Sequence, residues 1–399
     1  MTKRSVSLFG YKDLSGAALR VHRKRLTVLL LLISLLTANA ALLQASAAPG
    51  PSANAAILME SASGAVLYEK NPDKRMLIAS TTKILTALVV LDKGGADEKV
   101  KIGADFPAVE GSSIYLKPGD ELTVKELLYG LLLESGNDAA VALARHVAGD
   151  TGRFAELMNA RAQALGCKNS HFVNPHGLDA KEHYSSARDL ALIAREAMNN
   201  ETFREIVSTK RLNAAGRYFR NHNKLLWTCP GAIGVKTGFT ESAGRSLVSC
   251  VEREGMRLIC VTLSAPNDWN DHTSLYDWAY GAYRCVRIAR SEASFGSVHV
   301  VSGVSDAAAV HPETDYAAVF PKKDNVDVVW ELPRFVYAPV KAGSRAGVVR
   351  IMQNGQAVQE IPLIYDGAVK LDTSVPLSLW EKLKWSLSSG DKQTFVRSA

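Results

Sequence analysis

The sequence predicts an α+β protein with two parts, a mixed segment of helices and strands followed by a small all-β unit. Three observations support this prediction. Strand patterns enclose a long middle region in which apolar residues recur at helical spacing. Short alternating segments replace the helices after about Cys285, and Gly, Pro and Asn-Gly turns separate them. With 399 residues, 47% of them hydrophobic, the chain can bury more than one core.

Residues 1–48 are predicted to be a secretory signal peptide. Residues 1–25 carry seven basic side chains and one acidic side chain, and an apolar run follows from Leu26 to Leu36. Ala45-Ser46-Ala47 is a suitable cleavage site, with an uncleaved membrane anchor as the alternative. Because this leader holds nearly all of the net charge of +7, the rest of the chain has no basic surface of the kind that nucleic-acid binding requires.

The elements of residues 49–285 follow from periodicity and from turn residues. A strand hairpin comes first, and helical periodicity then begins just after Ser80 and ends at Gly94-Gly95. In chain order, the predicted elements are strands Ile57–Glu60 and Ala65–Tyr68, helices from Ser80, Leu122–Leu133, Ala139–Val147, Phe154–Leu165 and Ala187–Met198, strands Ser246–Val251 and Arg257–Leu263, and a helix near Ser274–Tyr283.

Residues 286–372 are predicted to form the all-β unit, which carries no obvious chemistry of its own. Its predicted strands are Val298–Val301, Val326–Trp330, Val348–Met352 and Gln359–Ile364. Residues 373–399 form a tail in which Pro376–Leu387 has an apolar stripe with lysines beside it. This pattern suits a helix lying on a membrane surface, and a helix packed on the β unit is the alternative.

The five cysteines indicate neither a disulfide framework nor a metal site. Their number is odd, the chain is large, and no C-x-x-C or His/Cys spacing occurs. Cys250 and Cys260 flank a predicted hairpin turn at Glu254-Gly255 and could lie near each other. Buried unpaired thiols are nevertheless favoured, and no metal or cofactor is predicted.

The first candidate for chemistry is Ser80-Thr81-Thr82-Lys83 at the start of a helix. At this spacing Ser80 and Lys83 lie on one helical face, so a partly desolvated Lys83 amine could take the proton of the Ser80 hydroxyl. The N–H groups of the helix start could stabilise an oxyanion at Ser80. The tetrapeptide alone is weak, because Ser80 could be an ordinary helix cap and Ser389–Lys392 repeats the pattern.

The second candidate is Ser135-Gly136-Asn137, in the break between two apolar helices. Ser135 could relay a proton between Lys83 and a leaving amine, and Asn137 could orient Lys83 or a substrate amide. The alternative is a helix cap at each side of the break, and Ser52-Ala53-Asn54 fits the same short pattern.

The third candidate is Lys236-Thr237-Gly238, which occurs once and is predicted to be a strand. An edge strand can hydrogen-bond an extended peptide, Lys236 and Thr237 would bind a carboxylate, and Gly238 would let the substrate approach closely. S-x-x-K, S-x-N and K-T-G occur in that order along the chain, on a helix start, a helix break and a strand. This order resembles the motif set of penicillin-binding proteins and class A β-lactamases, which has S-D-N in the second place.

The wider sequence resembles the low-molecular-mass D-alanyl-D-alanine carboxypeptidases, peptidase family S11, from about Ala56 to Tyr283. It is most similar to the sporulation-associated branch, through Pro266–His272 and the amphipathic tail. Besides the three motifs, the matching segments are Ile57–Glu60, Gly64–Tyr68, Gly111–Leu116, Asn174–Leu178, Tyr184–Asp189, Asn221–Leu226 and Ala243-Gly244.

The resemblance implies a β-lactamase/transpeptidase-like fold, an antiparallel sheet flanked by helices, and a reaction that needs no cofactor. The terminal D-Ala of a peptidoglycan stem peptide would leave as Ser80 is acylated, and β-lactams would be covalent inhibitors. Such an enzyme would act at the outer face of the cytoplasmic membrane or in the cell wall.

The resemblance also assigns roles to residues. Lys83 would be the base and Ser135 the proton relay. Asn137, Lys236, Thr237, Gly238 and Phe239 would bind substrate, with the N–H groups of Ser80 and Phe239 forming the oxyanion hole.

Two departures concern recognition of the substrate carboxylate. Many relatives carry Arg at the position of His222 and a basic residue near Asp271.

A serine β-lactamase and an inactive wall-binding homologue are the rival hypotheses. The Glu-x-x-Leu-Asn pattern of class A β-lactamases is absent, and the nearest string, Glu156–Asn159, lies in a predicted helix. An inactive homologue would be expected to lack a catalytic side chain, and Ser80, Lys83, Ser135 and Lys236 are all present. A Ser-His-Asp triad is rejected because Lys83 fills the base role, so His176, His183 and His222 are predicted to be structural.

Overall fold

The computed structural model describes residues 48–288, 295–374 and 392–398. The predicted signal peptide, except for residue 48, and the predicted tail helix Pro376–Leu387 lie outside the described residues, as does Ser389 of the second S-x-x-K pattern. Within the described ranges, no helix combines the length and apolarity needed to cross a bilayer.

Strands and helices are numbered separately, each in chain order. The strands are β1 Ala55–Glu60, β2 Val66–Lys70, β3 Lys99–Lys101, β4 Glu121–Thr123, β5 Arg211–Ala214, β6 Arg217–Arg220, β7 Ala232–Thr240, β8 Gly244–Arg253, β9 Met256–Leu263, β10 Tyr283–Ile288, β11 Ser297–Val301, β12 Ala307–Pro312, β13 Tyr316–Pro321, β14 Val326–Pro333, β15 Phe335–Tyr337, β16 Arg345–Gln353, β17 Gln356–Tyr365 and β18 Lys392–Ser398. The helices are α1 Lys83–Lys93, α2 Val124–Leu133, α3 Asn137–Ala148, α4 Thr151–Ala164, α5 Ala187–Ala197, α6 Glu201–Ser208, α7 Leu225–Thr228 and α8 Asp268–Ala282, with a 3₁₀ turn at Ala79–Thr82.

A five-stranded antiparallel sheet with helices on both faces forms the first part of the fold. Its strand order is β2-β1-β9-β8-β7, so β7 lies at one edge. Successive strand residues point to opposite faces. Ile57 packs in a cluster with Leu88 of α1 and Leu127 of α2, whereas Leu58 packs in a cluster with Tyr276 of α8. The predicted α+β fold, with an antiparallel sheet flanked by helices, is confirmed.

The β-rich part has a hydrophobic core of its own. A seven-stranded sheet runs in the order β15-β11-β12-β17-β16-β14-β18, and β10 pairs with β13 in a separate two-stranded sheet. Val328, Ile351 and Leu363 belong to its buried cluster. Since β10 spans residue 285, the predicted division between residues 49–285 and 286–372 stays a prediction.

Most element ends lie within four residues of the prediction, but two helices begin elsewhere than predicted. The helix predicted near Ser274–Tyr283 begins six residues earlier, at Asp268, and the acidic side chains of Asp268 and Asp271 suit the positive end of the helix in its first turn. The predicted helix Leu122–Leu133 begins instead at Val124, after the short strand β4. Thr123 is the N-cap, because its side chain accepts a hydrogen bond from the N–H of Glu126 while the Glu126 carboxylate accepts one from the N–H of Thr123. This capping box fixes the helix start, so Leu122 belongs to the strand.

Candidate active site

Ser80 lies on the 3₁₀ turn that leads into α1. The turn is tied by its own threonines, since the Thr81 hydroxyl donates to the carbonyl of Ile78 (2.7 Å) and the Thr82 hydroxyl to that of Ala79 (2.9 Å). Lys83 follows three residues after Ser80, at the spacing that puts two side chains on one helical face. The predicted pairing is present in the structure, with Lys83 Nζ 2.9 Å from Ser80 Oγ.

The Lys83 amine is buried and held by three oxygen atoms. Besides Ser80 Oγ, Nζ lies 2.7 Å from Oδ1 of Asn137 and 2.6 Å from the carbonyl oxygen of His176. Amide and carbonyl oxygens can only accept hydrogen bonds, so they take two N–H groups of Lys83. When the amine is neutral, its lone pair is left to face the Ser80 hydroxyl, which is the arrangement of a general base.

Burial and a neighbouring cation both favour the neutral amine. Removal of the Lys83 side chain from water is the main cause that lowers its pKa far below the usual range of lysine, and the charge of Lys236 lowers it further. The carboxylate of Asp138 opposes this effect to a lesser extent.

Ser135-Gly136-Asn137 fills the break between α2 and α3. Ser135 adopts a left-handed conformation (φ 63°) and lines the cavity that Ser80 also lines. Asn137 is buried at the first residue of α3, with Oδ1 on Lys83 and Nδ2 donating to the carbonyl of Glu110 (2.7 Å). Asn137 therefore contacts Lys83 directly, and its predicted role in orienting the amine stays a prediction.

Asp138 fastens the segment 112–116 to this break. Its carboxylate accepts hydrogen bonds from the hydroxyl of Ser113 (2.6 Å) and from the N–H groups of Ile114 and Leu116 (both 3.0 Å). The N–H of Asn137 donates to the carbonyl of Ser112 (2.7 Å). The family resemblance includes this segment, and the structure shows that it supports the S-x-N motif.

The loop at residues 174–177 supplies the third oxygen around Lys83. The hydroxyl of Thr86 on α1 donates to the carbonyl of Pro175 (2.6 Å), which brings the His176 carbonyl against Lys83. Gly177 has a φ of 89°, and a Cβ there would lie 2.0 Å from the carbonyl oxygen of Ala79. Only glycine allows this approach to the Ser80 turn.

Lys236-Thr237-Gly238 lies on β7, the edge strand of the main sheet. Lys236 is buried, its Nζ donates to the carbonyl of Thr237 (2.9 Å), and burial lowers its pKa to about 7. A Cβ on Gly238 would lie 3.1 Å from the backbone nitrogen of Ser80 and 3.0 Å from the carbonyl oxygen of Ile78. The strand therefore passes directly beside the turn that carries Ser80.

The predicted site residues lie around one cavity of about 330 Å³. Ser80, Ser135, Thr237, Gly238 and Phe239 line it, while Lys83, Asn137 and Lys236 are buried behind its wall. Further lining residues that the sequence did not single out as candidates are Ser112, Lys224, Arg245, Asp268 and Trp269. A neighbouring groove of about 690 Å³ shares His222 and Lys224 with it.

The three histidines near the site differ in their surroundings. His222 lines the cavity, with Nε2 3.3 Å from a carboxylate oxygen of Glu134, and partial burial and the Lys236 charge lower its pKa. Burial lowers the pKa of both His176 and His183 to about 4, so their rings are neutral near pH 7. His183 Nε2 lies 2.9 Å from Oγ1 of Thr82, which places this ring under the Ser80 turn.

The five cysteines lie outside the set of residues that line the cavity. All five cysteines are free thiols, with Cys250 and Cys260 on adjacent strands. In the part of the chain that the structure describes, no three His, Cys, Asp or Glu side chains are grouped so that they could hold a metal ion.

Comparison with known proteins gives consistent matches. The family model described as D-alanyl-D-alanine carboxypeptidase, peptidase S11, matches residues 43–267. The chain is 34% identical over 327 residues to D-alanyl-D-alanine carboxypeptidase DacF of Bacillus subtilis, covering 78% of this chain and 84% of the relative. It is 36% identical over 338 residues to DacC of Escherichia coli, covering 79% and 84%.

Solved structures agree with the sequence matches. Penicillin binding protein 5 from Haemophilus influenzae is similar with a TM-score of 0.65 and 31% identity, covering 81% of this chain and 99% of that chain. The D-alanyl-D-alanine carboxypeptidase DacD from Francisella tularensis is similar with a TM-score of 0.61 and 26% identity, covering 82% and 95%.

Proposed function

The chain belongs to the D-alanyl-D-alanine carboxypeptidase family, and on that premise we propose that Ser80 is the residue on which its acyl-enzyme forms. The enzyme is a serine peptidase and penicillin-binding protein that removes the terminal D-Ala from peptidoglycan stem peptides. The observation that carries the assignment of Ser80 is the buried Lys83 amine, which lies 2.9 Å from Ser80 Oγ and has two other acceptors.

Acylation starts with transfer of the Ser80 proton to the neutral Lys83 amine. Ser80 Oγ then bonds to the carbonyl carbon of the penultimate D-Ala, and the carbonyl oxygen becomes an oxyanion. The N–H groups of Ser80 and Phe239 stabilise this charge. The approach of Gly238 to the backbone nitrogen of Ser80 supports this role, because it sets β7 beside the turn.

Collapse of the tetrahedral intermediate breaks the peptide bond to the terminal residue. The proton held by Lys83 passes through the Ser135 hydroxyl to the leaving amine, so D-Ala departs as a neutral amine and Lys83 becomes neutral again. Water attacks the ester by the same route in reverse, giving the shortened stem and free Ser80. Ser135 supports this relay by lining the same cavity as Ser80.

β7 provides the binding edge for the substrate. An extended peptide adds to an edge strand through backbone hydrogen bonds, and β7 has β8 on one side only within the described sheet. Thr237 receives the terminal carboxylate, the buried Lys236 adds positive charge beside it, and Asn137 orients Lys83 from behind the cavity wall. We propose that residues 49–285 form this catalytic domain and residues 286–372 a separate β-rich domain.

Labelling with a fluorescent penicillin, followed by mass mapping of the modified peptide, tests the assignment. The label is expected on the peptide containing Ser80, Ser80→Ala is expected to abolish it, and Ser389→Ala, in the second S-x-x-K pattern, is expected to retain it. A label on another residue would refute the assignment. Rapid release of hydrolysed penicillin would instead support the β-lactamase alternative.

We propose that the enzyme acts outside the cytoplasm, exported by residues 1–48 and in contact with the membrane surface through Pro376–Leu387. The basic, apolar and small-residue order of the leader supports export. Mass analysis of the protein recovered from its own host should place the mature N-terminus near residue 48. A chain that keeps residues 1–48 would refute cleavage.

Membrane contact by the tail has its own test. Replacement of Leu379, Leu383 and Leu387 by Ser, which leaves strand β18 unchanged, is expected to move the mature protein from the membrane fraction to the soluble fraction, because lysines beside an apolar stripe suit the surface of a bilayer. Equal partitioning of both forms would refute it. A role in sporulation, which the similarity of Pro266–His272 suggests, is tested by whether the enzyme accumulates in sporulating cells.

A further inference from the structure

Arg245 occupies the face of the sheet that bears Thr237. In the antiparallel pairing of β7 and β8, Thr237 lies opposite Leu247 and Phe239 lies opposite Arg245. Residues opposite each other project to the same face, and a residue two positions along is within reach of a long side chain. Arg245 and Thr237 are such diagonal neighbours, and both line the cavity of Ser80.

Asp268 and Trp269 hold the guanidinium of Arg245 in place. Its Nε and Nη2 atoms hydrogen-bond the carboxylate of Asp268 at 2.8–3.1 Å, and that carboxylate is 3% exposed. The guanidinium carbon lies 5.6 Å from the centre of the Trp269 ring. Nη1 has no hydrogen-bond partner among the residues that the structure describes, and the side chain is 42% exposed. One edge of the guanidinium is thus anchored and the other is open.

The other basic groups around the cavity are less suited than a guanidinium to bind a carboxylate. Burial lowers the pKa of Lys236 to about 7, and the pKa of His222 lies below its ordinary value. Lys224 is exposed, and its ammonium is a point charge on a flexible stem. A guanidinium stays protonated at all working pH values, and its planar N–H groups match the two oxygens of a carboxylate.

We propose that Arg245, held by Asp268, forms with Thr237 the subsite that binds the terminal carboxylate of the substrate. This inference rests on the proposed function and deepens it, since it names the group that selects a free C-terminus. The Nη1 edge donates to the carboxylate while the Nε edge stays on Asp268, and Thr237 donates its hydroxyl to the second oxygen. Lys236, buried beside the cavity, adds positive potential.

The experiment compares two substrates on each enzyme. One is an acylated tripeptide ending in D-Ala-D-Ala with a free carboxylate, and the other is the same peptide with a C-terminal amide. Loss of a charge-assisted hydrogen bond weakens binding by about 10- to 100-fold. Arg245→Ala is therefore expected to lower kcat/KM for the free acid by that factor and to leave kcat/KM for the amide within about 3-fold. Arg245→Lys keeps the positive charge but loses the planar donor geometry of the guanidinium. Its kcat/KM for the free acid should lie between those of the parent enzyme and Arg245→Ala.

Arg253 provides a matched control on the same strand. It pairs with Asp277 of α8 (2.8 Å) over the ring of Tyr280 (4.9 Å), and it does not line the cavity. Arg253→Ala should leave the ratio of acid to amide rates unchanged. An unchanged ratio in Arg245→Ala, whether both rates fall together or neither falls, would overturn the proposal. Failure of the Ser80 assignment would appear in the penicillin mapping and would not change this ratio.

Discussion

Lys83 and Lys236 are two buried lysines that act on one cavity and influence each other. After burial, the charge of Lys236 is the largest cause that lowers the pKa of Lys83. Two ammonium groups in one low-dielectric region repel each other, so a charge on Lys236 favours the neutral form of Lys83. In the proposed mechanism the two lysines have different roles, because Lys83 receives a proton while Lys236 contributes positive charge.

Replacing Lys236 by a neutral residue should move the pH dependence of acylation. Acylation needs neutral Lys83, so its rate falls as the pH drops through the Lys83 pKa. Loss of the Lys236 charge stabilises the Lys83 ammonium and raises the pKa of Lys83. In Lys236→Gln, the acidic limb of the pH–rate profile, where the acylation rate falls as the pH drops, should therefore shift to higher pH. Lys236→Arg keeps the positive charge, so the acidic side of its pH–rate profile should stay where it is in the parent enzyme. The rate constant of acylation by penicillin between about pH 5 and 10 measures this, and identical limbs in all three enzymes would contradict it.

A carboxylate at position 137 should have a stronger effect of the same sign. Asn137 Oδ1 lies 2.7 Å from Lys83 Nζ, so Asn137→Asp places a negative charge against the amine. A neighbouring opposite charge shifts a pKa by about 1–3 units, so the acidic limb of the acylation rate profile should move to higher pH by that amount. Asn137→Ala carries no charge and should not shift the limb upward. Equal pH profiles of the two variants would refute this explanation.

Gly177 should be intolerant of any side chain because the Ser80 turn lies against it. A Cβ at Gly177 would lie 2.0 Å from the backbone oxygen of Ala79, so Gly177→Ala must displace the turn or the loop. Gly255 is a matched control, since its φ is also positive (73°) and nothing lies within 4 Å of its Cβ position. Both variants are destabilised by the left-handed backbone, by about 1 kcal/mol or more in unfolding free energy.

Only the change at Gly177 should also slow acylation, by about 10-fold or more, through misplacement of Ser80. Penicillin acylation rates and denaturant unfolding of both variants measure the two effects separately. Equal acylation rates in Gly177→Ala and Gly255→Ala would show that the turn tolerates the displacement.

The fold, and the meeting of the candidate residues around one cavity, were largely predictable from the sequence, for a local reason. Ser80 and Lys83 are three residues apart, so helical geometry alone brings them together. The order of S-x-x-K, S-x-N and K-T-G then indicated one crevice. Short elements such as β3 and β5 escaped prediction because three or four residues with exposed charges give no clear alternation.

Most of the remaining parts of the site depend on tertiary contacts and could not be predicted. The backbone carbonyl of His176 accepts a hydrogen bond from Lys83, and that of Glu110 accepts one from Asn137. Every residue has a backbone carbonyl, so the sequence does not show which ones take part. Arg245 had a signal that could have been used. A strand pair closed by the turn after Thr240 puts Arg245 opposite Phe239, beside the K-T-G motif.

His183 should make the enzyme sensitive to mild acid. Its Nδ1 accepts from the N–H of Val173 (3.2 Å), so the proton of the neutral ring is on Nε2, facing Oγ1 of Thr82. Burial lowers its pKa from 6.5 to about 4. Between these values the unfolded chain binds a proton that the folded protein does not, so the free energy of unfolding falls as the pH drops from about 6.5 to 4.

His183→Gln keeps an acceptor and a donor but cannot titrate. The variant should lose up to about 1.4 kcal/mol per pH unit of this dependence between about pH 4 and 6.5. Part of the dependence should persist, because burial also lowers the pKa of His176 and His272, to about 4 and about 3. Urea unfolding at several pH values gives the slopes. Equal slopes in the variant and the parent would mean that His183 takes up its proton without disturbing the fold, contrary to the contacts of its ring.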